Sequence, residues 1–173
     1  MPALLQMLVD VGSVRFGDFT LSSGKRSSYY VDIKRAITEP AILSAIARKM
    51  GRRWIGEDLI GGTELGAVPI AAAVSMDIDL PYVIVRKGGR EHGTGKRIEG
   101  ADVNGLKVLL VEDVITTAGS VARAVEALRE AGATVDRVIA VVDRQEGGRE
   151  TLSEINVTLE ALLTAEEILE VKT

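Results

Sequence analysis

The chain has 173 residues, enough for one domain with a sizeable core, and its 46% hydrophobic and 27% charged residues are ordinary globular values that suggest neither disorder nor a coiled coil. The absence of cysteine and a single histidine, His92, exclude disulfides, thiolate nucleophiles and multi-histidine metal clusters, so a transition-metal enzyme is not expected. A net charge of −4 argues against a surface built for nucleic acid, and no apolar stretch approaches the roughly 20 residues that span a bilayer. Met1 to Asp10 has no basic segment before its short apolar run, so a cytoplasmic protein without a membrane partner is expected.

Pro2 to Val11 reads as a short opening helix. Phe19 to Leu21 and Tyr29 to Lys34 are apolar pieces separated by the turn-prone Ser22, Ser23 and Gly24, which predicts a hairpin or a small N-terminal subdomain. Thr38-Glu39-Pro40 marks a helix start, because proline is tolerated in the first turn, and Ile42, Leu43, Ile46 and Met50 follow at helical spacing toward an end near Trp54. Asp58 to Gly62 predicts a strand, Gly66 to Met76 a small-residue helix and Pro81 to Val85 another strand, an alternation that favours a parallel sheet. Lys107 to Val111 is the next strand, followed by a helix with Val121, Ala124, Val125 and Leu128 on one face and Gly132 as its stop. Val135 to Asp143 and Val157 to Ala161 complete about five core strands, and Thr164-Ala165-Glu166-Glu167 matches a capping box before a last helix. The Gly-rich Gly88 to Gly100 and the polar Arg144 to Glu150 are expected as loops on the ligand side, since both follow strands.

The most informative stretch is Val108 to Ser120, VLLVEDVITTAGS. Its apolar start lacks polar alternation, as in a strand buried on both faces, so Glu112 and Asp113 are expected at the strand's carboxyl end. Thr116, Thr117, Gly119 and Ser120 then supply hydroxyls and unpaired N–H groups at a helix N-terminus, where phosphate binds readily. Carboxylates that grip hydroxyls beside amides that grip phosphate suit a phosphorylated sugar. Arg86 to Arg97 carries five basic residues against Glu91, a net +4 that leaves −8 for the rest of the chain. A local basic segment on an acidic body points to a compact anionic ligand, and its glycines suit a mobile lid.

Glu112-Asp113 with Val114-Ile115-Thr116-Thr117-Ala118-Gly119-Ser120 resembles the phosphoribosyl pyrophosphate (PRPP) signature of type I phosphoribosyltransferases. Phe16 to Lys34, Arg86 to Gly93 and Val142 to Arg149 resemble the orotate phosphoribosyltransferase family specifically. The resemblance implies an α/β type I phosphoribosyltransferase fold over residues 1–173, an about five-stranded parallel sheet flanked by helices, with about residues 1–35 in a small hood and residues 86–100 as the lid. It implies Mg²⁺-dependent transfer of ribose 5-phosphate from PRPP to orotate, giving orotidine monophosphate and pyrophosphate on the way to uridine monophosphate. It also implies a homodimer in which a lid residue of one subunit closes on its neighbour's site.

By the same resemblance, Glu112 and Asp113 hold the ribose hydroxyls, the loop from Val114 to Ser120 wraps the 5-phosphate, and Arg86, Lys87, Arg90 and His92 contact pyrophosphate. Arg90 and Asp113 are the residues assigned to catalysis, Asp113 with a possible proton-carrying role. Thr116 and Arg144 meet orotate, a planar carboxylate suited to a fork donor, while Lys25 and the backbone at Tyr30 and Val31 are further candidates. No direct protein ligand to Mg²⁺ is implied, since the ion keeps substrate and water oxygens. The chain departs from the family pattern where Arg90 replaces a lid lysine, where Ser22 replaces a PRPP-holding lysine that Lys25 could substitute, and in Gly61 to Gly66, GGTELG, which lacks a lysine.

Two other readings share the PRPP site: a transferase for another nucleobase, and a PRPP-sensing regulator that binds nucleic acid. A receiver domain, which VLLVED also suggests, is disfavoured because only 66 residues run from Val108 to the end.

Overall fold

A computed structural model of the chain describes residues 4–20, 26–88 and 97–170. The N-terminal helix α1 (Leu4–Asp10) leads into a hairpin of β1 (Val14–Thr20) and β2 (Arg26–Val31), paired antiparallel from Val14↔Val31 to Thr20↔Arg26. Two helices follow, α2 (Ile33–Ala36), capped by the Asp32 carboxylate, and α3 (Pro40–Gly51), with its proline in the first turn as expected.

The remainder is a wound α/β unit: β3 (Leu59–Thr63), α4 (Ala67–Ile78), β4 (Tyr82–Val85), β5 (Ile98–Gly100), β6 (Val108–Ile115), α5 (Gly119–Glu130), β7 (Arg137–Asp143), α6 (Gly148–Glu154), β8 (Thr158–Thr164) and α7 (Ala165–Glu170). The sheet order is β5-β4-β3-β6-β7-β8, parallel except for β5, which runs antiparallel to β4 at the edge. There are thus six strands rather than about five. The additional one, β5, lies inside a segment expected to be loop, and three residues with little apolar patterning left no periodicity to read.

Burial explains the winding. Along β6, Leu109 and Val111 pack toward α1, α3 and α4, whereas Val108 and Leu110 pack toward α5, and all four are at most 1% exposed. A strand covered on both faces has no reason to alternate with polar residues, which is why its sequence is continuously apolar. The hairpin does not form a core of its own, because Val14, Tyr29 and Ile33 belong to the same cluster as Ile60, Leu109 and Ile139. At the other end of the chain the capping box forms as read: the Glu167 carboxylate accepts from the Thr164 backbone N–H at 2.7 Å, and the Thr164 hydroxyl accepts from the Glu167 N–H at 3.3 Å.

Two local expectations are corrected. The strand that begins at Val108 continues to Ile115, so Glu112 and Asp113 lie within it, because pairing with β7 persists to Ile115↔Asp143 after the β3 partner stops at Gly62↔Val111. The Arg144 to Glu150 segment is not all loop, since Gly148 starts α6; its polar exposed face hid a helix anchored by the fully buried Leu152. Among the described residues, no helix is long and apolar enough to cross a membrane.

Candidate active site

Strands β3 and β6 are adjacent, yet β3 leads to α4 on one face of the sheet and β6 leads to α5 on the other. Their carboxyl ends therefore flank the crevice in which open α/β sheets bind ligands. Thr63 ends β3 and Glu112 faces it from β6; both are buried, and the Thr63 hydroxyl donates to Glu112 Oε2 at 2.5 Å. Glu112 Oε1 accepts from the Asp113 backbone N–H at 3.0 Å, so each oxygen of this carboxylate has a partner. Burial, and after it the hydrogen bond and charge of Asp113, push the Glu112 pKa up to about 8, against which the Thr63 hydroxyl acts. Burial beside a second acid therefore favours the protonated form of Glu112 near neutrality.

Asp113 also has contacts beyond Glu112. Its Oδ2 lies 4.0 Å from Lys34 Nζ on α2, and its Oδ1 accepts from the Val114 N–H at 2.8 Å. A methyl group on Gly66 would come within 2.0 Å of Asp113 Oδ2, so only glycine lets the turn between β3 and α4 approach this carboxylate. Lys34 escaped the sequence reading because it seemed to continue a strand.

Beyond β6 the chain turns through Thr116 and Thr117, both exposed, and enters α5 at Ala118, which has a left-handed φ of 60°. Ser120 is exposed in the first helical turn, whereas the side chains of Ile115 and Ala118 are buried, so those two residues can offer a ligand only their backbone. Val114 is half-buried against the core. Beside this turn is a cavity of about 50 Å³ whose lining includes Thr63, Arg86, Lys87, Arg97, Ser120 and Arg123. Arg86 is held at its rim by Glu64 and Glu99, at 3.5 and 3.7 Å. Arg97, the end of the basic segment, lines the cavity together with Arg123, which was not singled out in the sequence because it was hidden on a helix whose apolar face drew the reading. Arg90, His92 and Lys25 lie outside the described residues, as does the central part of the expected lid.

Arg144 follows β7, and its backbone N–H donates to the Ile115 carbonyl at 2.8 Å, which joins the two loops at the crevice. Its side chain is only 10% exposed, and its guanidinium carbon lies 5.0 Å from the centre of the Tyr29 ring. Tyr30, by contrast, turns its ring toward Phe19 and Arg15. Burial raises the Tyr29 pKa above its ordinary value, with Arg144 acting in the opposite sense. Tyr29 and Glu146, which ion-pairs with Arg144 at 2.9 Å, are neighbours that the sequence did not identify.

The chain matches the phosphoribosyl transferase domain over residues 34–166. It is similar to the orotate phosphoribosyltransferase of Methanopyrus kandleri, at 50% identity over 95% of this chain and 90% of that one. The chain belongs to the orotate phosphoribosyltransferase family. Its fold is similar to that of the crystal structure of orotate phosphoribosyltransferase from Aeropyrum pernix, with a TM-score of 0.87, 34% identity and coverage of 98% and 97% of the two chains. It is also similar to the Mycobacterium tuberculosis orotate phosphoribosyltransferase in complex with PRPP, with a TM-score of 0.76, 31% identity and coverage of 96% and 99%. The family match spans both halves of the crevice, from Lys34 on α2 to α7.

Proposed function

We propose that this crevice transfers the ribose 5-phosphate of PRPP to N1 of orotate, forming orotidine monophosphate and pyrophosphate. The observation that carries the reading is the union, through the Arg144 N–H to Ile115 carbonyl bond, of an acidic pair and open helix N-terminus with a planar cation. Family membership and the relatives' shared activity support the choice of orotate.

Thr116, Thr117 and Ser120, with the backbone from Val114 to Gly119, hold the 5-phosphate. Asp113 takes a ribose hydroxyl as a charged acceptor, and Glu112, protonated near neutrality, faces the ribose without doubling the negative charge. Cleavage at C1 places positive charge on the ribose and negative charge on pyrophosphate. Arg86 and Lys87 stabilise the latter, together with Arg90 and His92. Arg144 and Thr116 meet orotate; Lys25 and the backbone at Tyr30 and Val31 complete the pocket. Among the described residues no group of three or more acidic, histidine or cysteine side chains could cage a metal. That donor set fits Mg²⁺ held mainly by substrate and water, with Asp113 as the available carboxylate. When bound, the ion would neutralise charge on the pyrophosphate oxygens.

The functional unit is a homodimer. Helix α4 reads AVPIAAAVSMDI, apolar nearly all round, although only Ala67, Ile70, Ala71 and Val74 are buried within the chain. Met76 is 85% exposed and Leu65, just before the helix, 71%. A helix apolar on every face calls for a second cover, and a second copy of the chain supplies it.

Mixing the protein with orotate, PRPP and Mg²⁺ should remove orotate absorbance and release pyrophosphate. Turnover of adenine, hypoxanthine or uracil but not orotate would overturn the substrate assignment. Salt-dependent nucleic-acid binding without turnover would point instead to a regulator.

A further inference from the structure

The Arg144 guanidinium is restrained on two sides. Its face lies over Tyr29, at 5.0 Å from the ring centre, and its Nε is 2.9 Å from Glu146 Oε1. That ion pair is close but not aligned as a hydrogen bond: Nε is buried and lacks a properly directed acceptor among the described residues. Apart from an interaction with the Tyr29 hydroxyl, no hydrogen bond from Nη1 or Nη2 to a described residue is formed. A planar carboxylate binds two parallel N–H groups on one guanidinium edge, and Tyr29 and Glu146 leave the Nη1/Nη2 edge for it.

The loop that carries Glu146 is itself fixed. Asp143, fully buried, accepts from the Gln145 N–H at 2.8 Å and from Arg149 Nη2 at 3.1 Å, and the Gln145 side-chain oxygen accepts from the Glu166 N–H at 3.0 Å. Tyr29 is 5% exposed and belongs to the core. Both restraints are therefore built on ordered backbone.

We propose that Glu146 and Tyr29 are positioning residues that present the end-on fork of Arg144 to the carboxylate of the acceptor base, and so help to select a carboxylated base over uncharged ones. The inference rests on the reading of Arg144 as the orotate contact. Tyr29 fixes the plane of the guanidinium. Glu146 fixes its rotation about that plane's normal, and draws the arginine away from Glu112 and Asp113, the competing acids of the crevice.

Steady-state kinetics on Glu146→Gln, Tyr29→Leu, Tyr29→Phe and Arg144→Gln test this. Glu146→Gln should raise the orotate KM about tenfold, the size expected when one charge-assisted contact is lost, with kcat and the PRPP KM changed less than about twofold. Tyr29→Leu should raise the orotate KM about fivefold, and Tyr29→Phe, which keeps the ring but not the hydroxyl, should raise it less. Combining Glu146→Gln with Arg144→Gln should add nothing to the effect of Arg144→Gln alone, because a positioning residue acts only through the group it positions. PRPP affinity and a thermal melt report folding of each variant; if Tyr29→Leu does not fold, Glu146→Gln and the double variant decide. An unchanged or lower orotate KM in Glu146→Gln overturns the proposal, the lower value marking Glu146 as a competitor of the substrate. If Arg144→Gln itself leaves the orotate KM unchanged, the assignment of Arg144 fails; if Arg144→Gln raises it and the other variants do not, only the positioning claim fails.

Discussion

The two ends of the sheet both bury charge, but they treat it in opposite ways. At the amino ends of the strands, Arg137 on β7 is 2.5 Å from Glu57 and 2.6 Å from Glu160, and it also donates to the Arg53 carbonyl at 2.9 Å. Burial works against this charge, yet the hydrogen bonds to Glu160 and Glu57 hold the Arg137 pKa above the usual arginine value. At the carboxyl ends, Glu112 is buried next to another acid, the cation nearest Asp113 among the described residues is Lys34 at 4.0 Å, and Arg144 ion-pairs with Glu146 through Nε without a hydrogen bond there. One end satisfies its charges internally and is structural; the other is where we propose that a ligand completes them.

The contrast can be broken first at the structural end. Arg137→Met strands Glu57, which is 9% exposed, and should cost about 3–5 kcal/mol in urea unfolding while leaving both substrate KM values within about twofold. A change in KM comparable to the loss of stability would mean that the ends are coupled. At the other end, Asp113→Ala should weaken PRPP about 30-fold, equivalent to about 2 kcal/mol of lost charge-assisted contact, with little change in melting temperature. Unchanged PRPP affinity would remove Asp113 from the ribose site. Arg144→Gln should raise the orotate KM about tenfold or more and leave PRPP binding intact.

A further expected effect sharpens the comparison through pH. The folded-state pKa of Glu112, about 8, lies above the ordinary carboxylate value of 4.5, so the folded protein holds a proton that the unfolded chain has released. Its contribution to stability is fully present below the unfolded value and is lost as pH rises through about 8. Glu112→Gln imitates the protonated form, so its melting temperature should gain on wild type as pH is raised across that window, by about 2–4 °C for each kcal/mol. A difference that stays flat with pH would place the proton elsewhere.

What the sequence disclosed follows the same division. The run from Val108 to Ser120 is contiguous, so a buried strand, an acidic pair and a helix start are all visible in consecutive residues, and the structure places them at one crevice. What it concealed depends on distant packing. Tyr29 reaches Arg144 across 115 residues of chain, Thr63 meets Glu112 across 49, and Lys34 approaches Asp113 from a helix, the strand before it having ended three residues earlier than expected. No local pattern announces such pairs, since a tyrosine among apolar neighbours reads as core, and Tyr29 is indeed core on its other side. The proton on Glu112 was likewise invisible, because its pKa depends on burial by elements that the strand itself does not encode.

The most direct measurement is a calorimetric titration of PRPP, followed by orotate, into wild type, Asp113→Ala and Arg144→Gln. The account predicts a clean separation, with PRPP binding weakened about 30-fold in Asp113→Ala and kept in Arg144→Gln, and orotate binding to the PRPP-loaded protein weakened about tenfold or more in Arg144→Gln. Equal loss of PRPP in both variants, or undiminished orotate binding in Arg144→Gln, would contradict it.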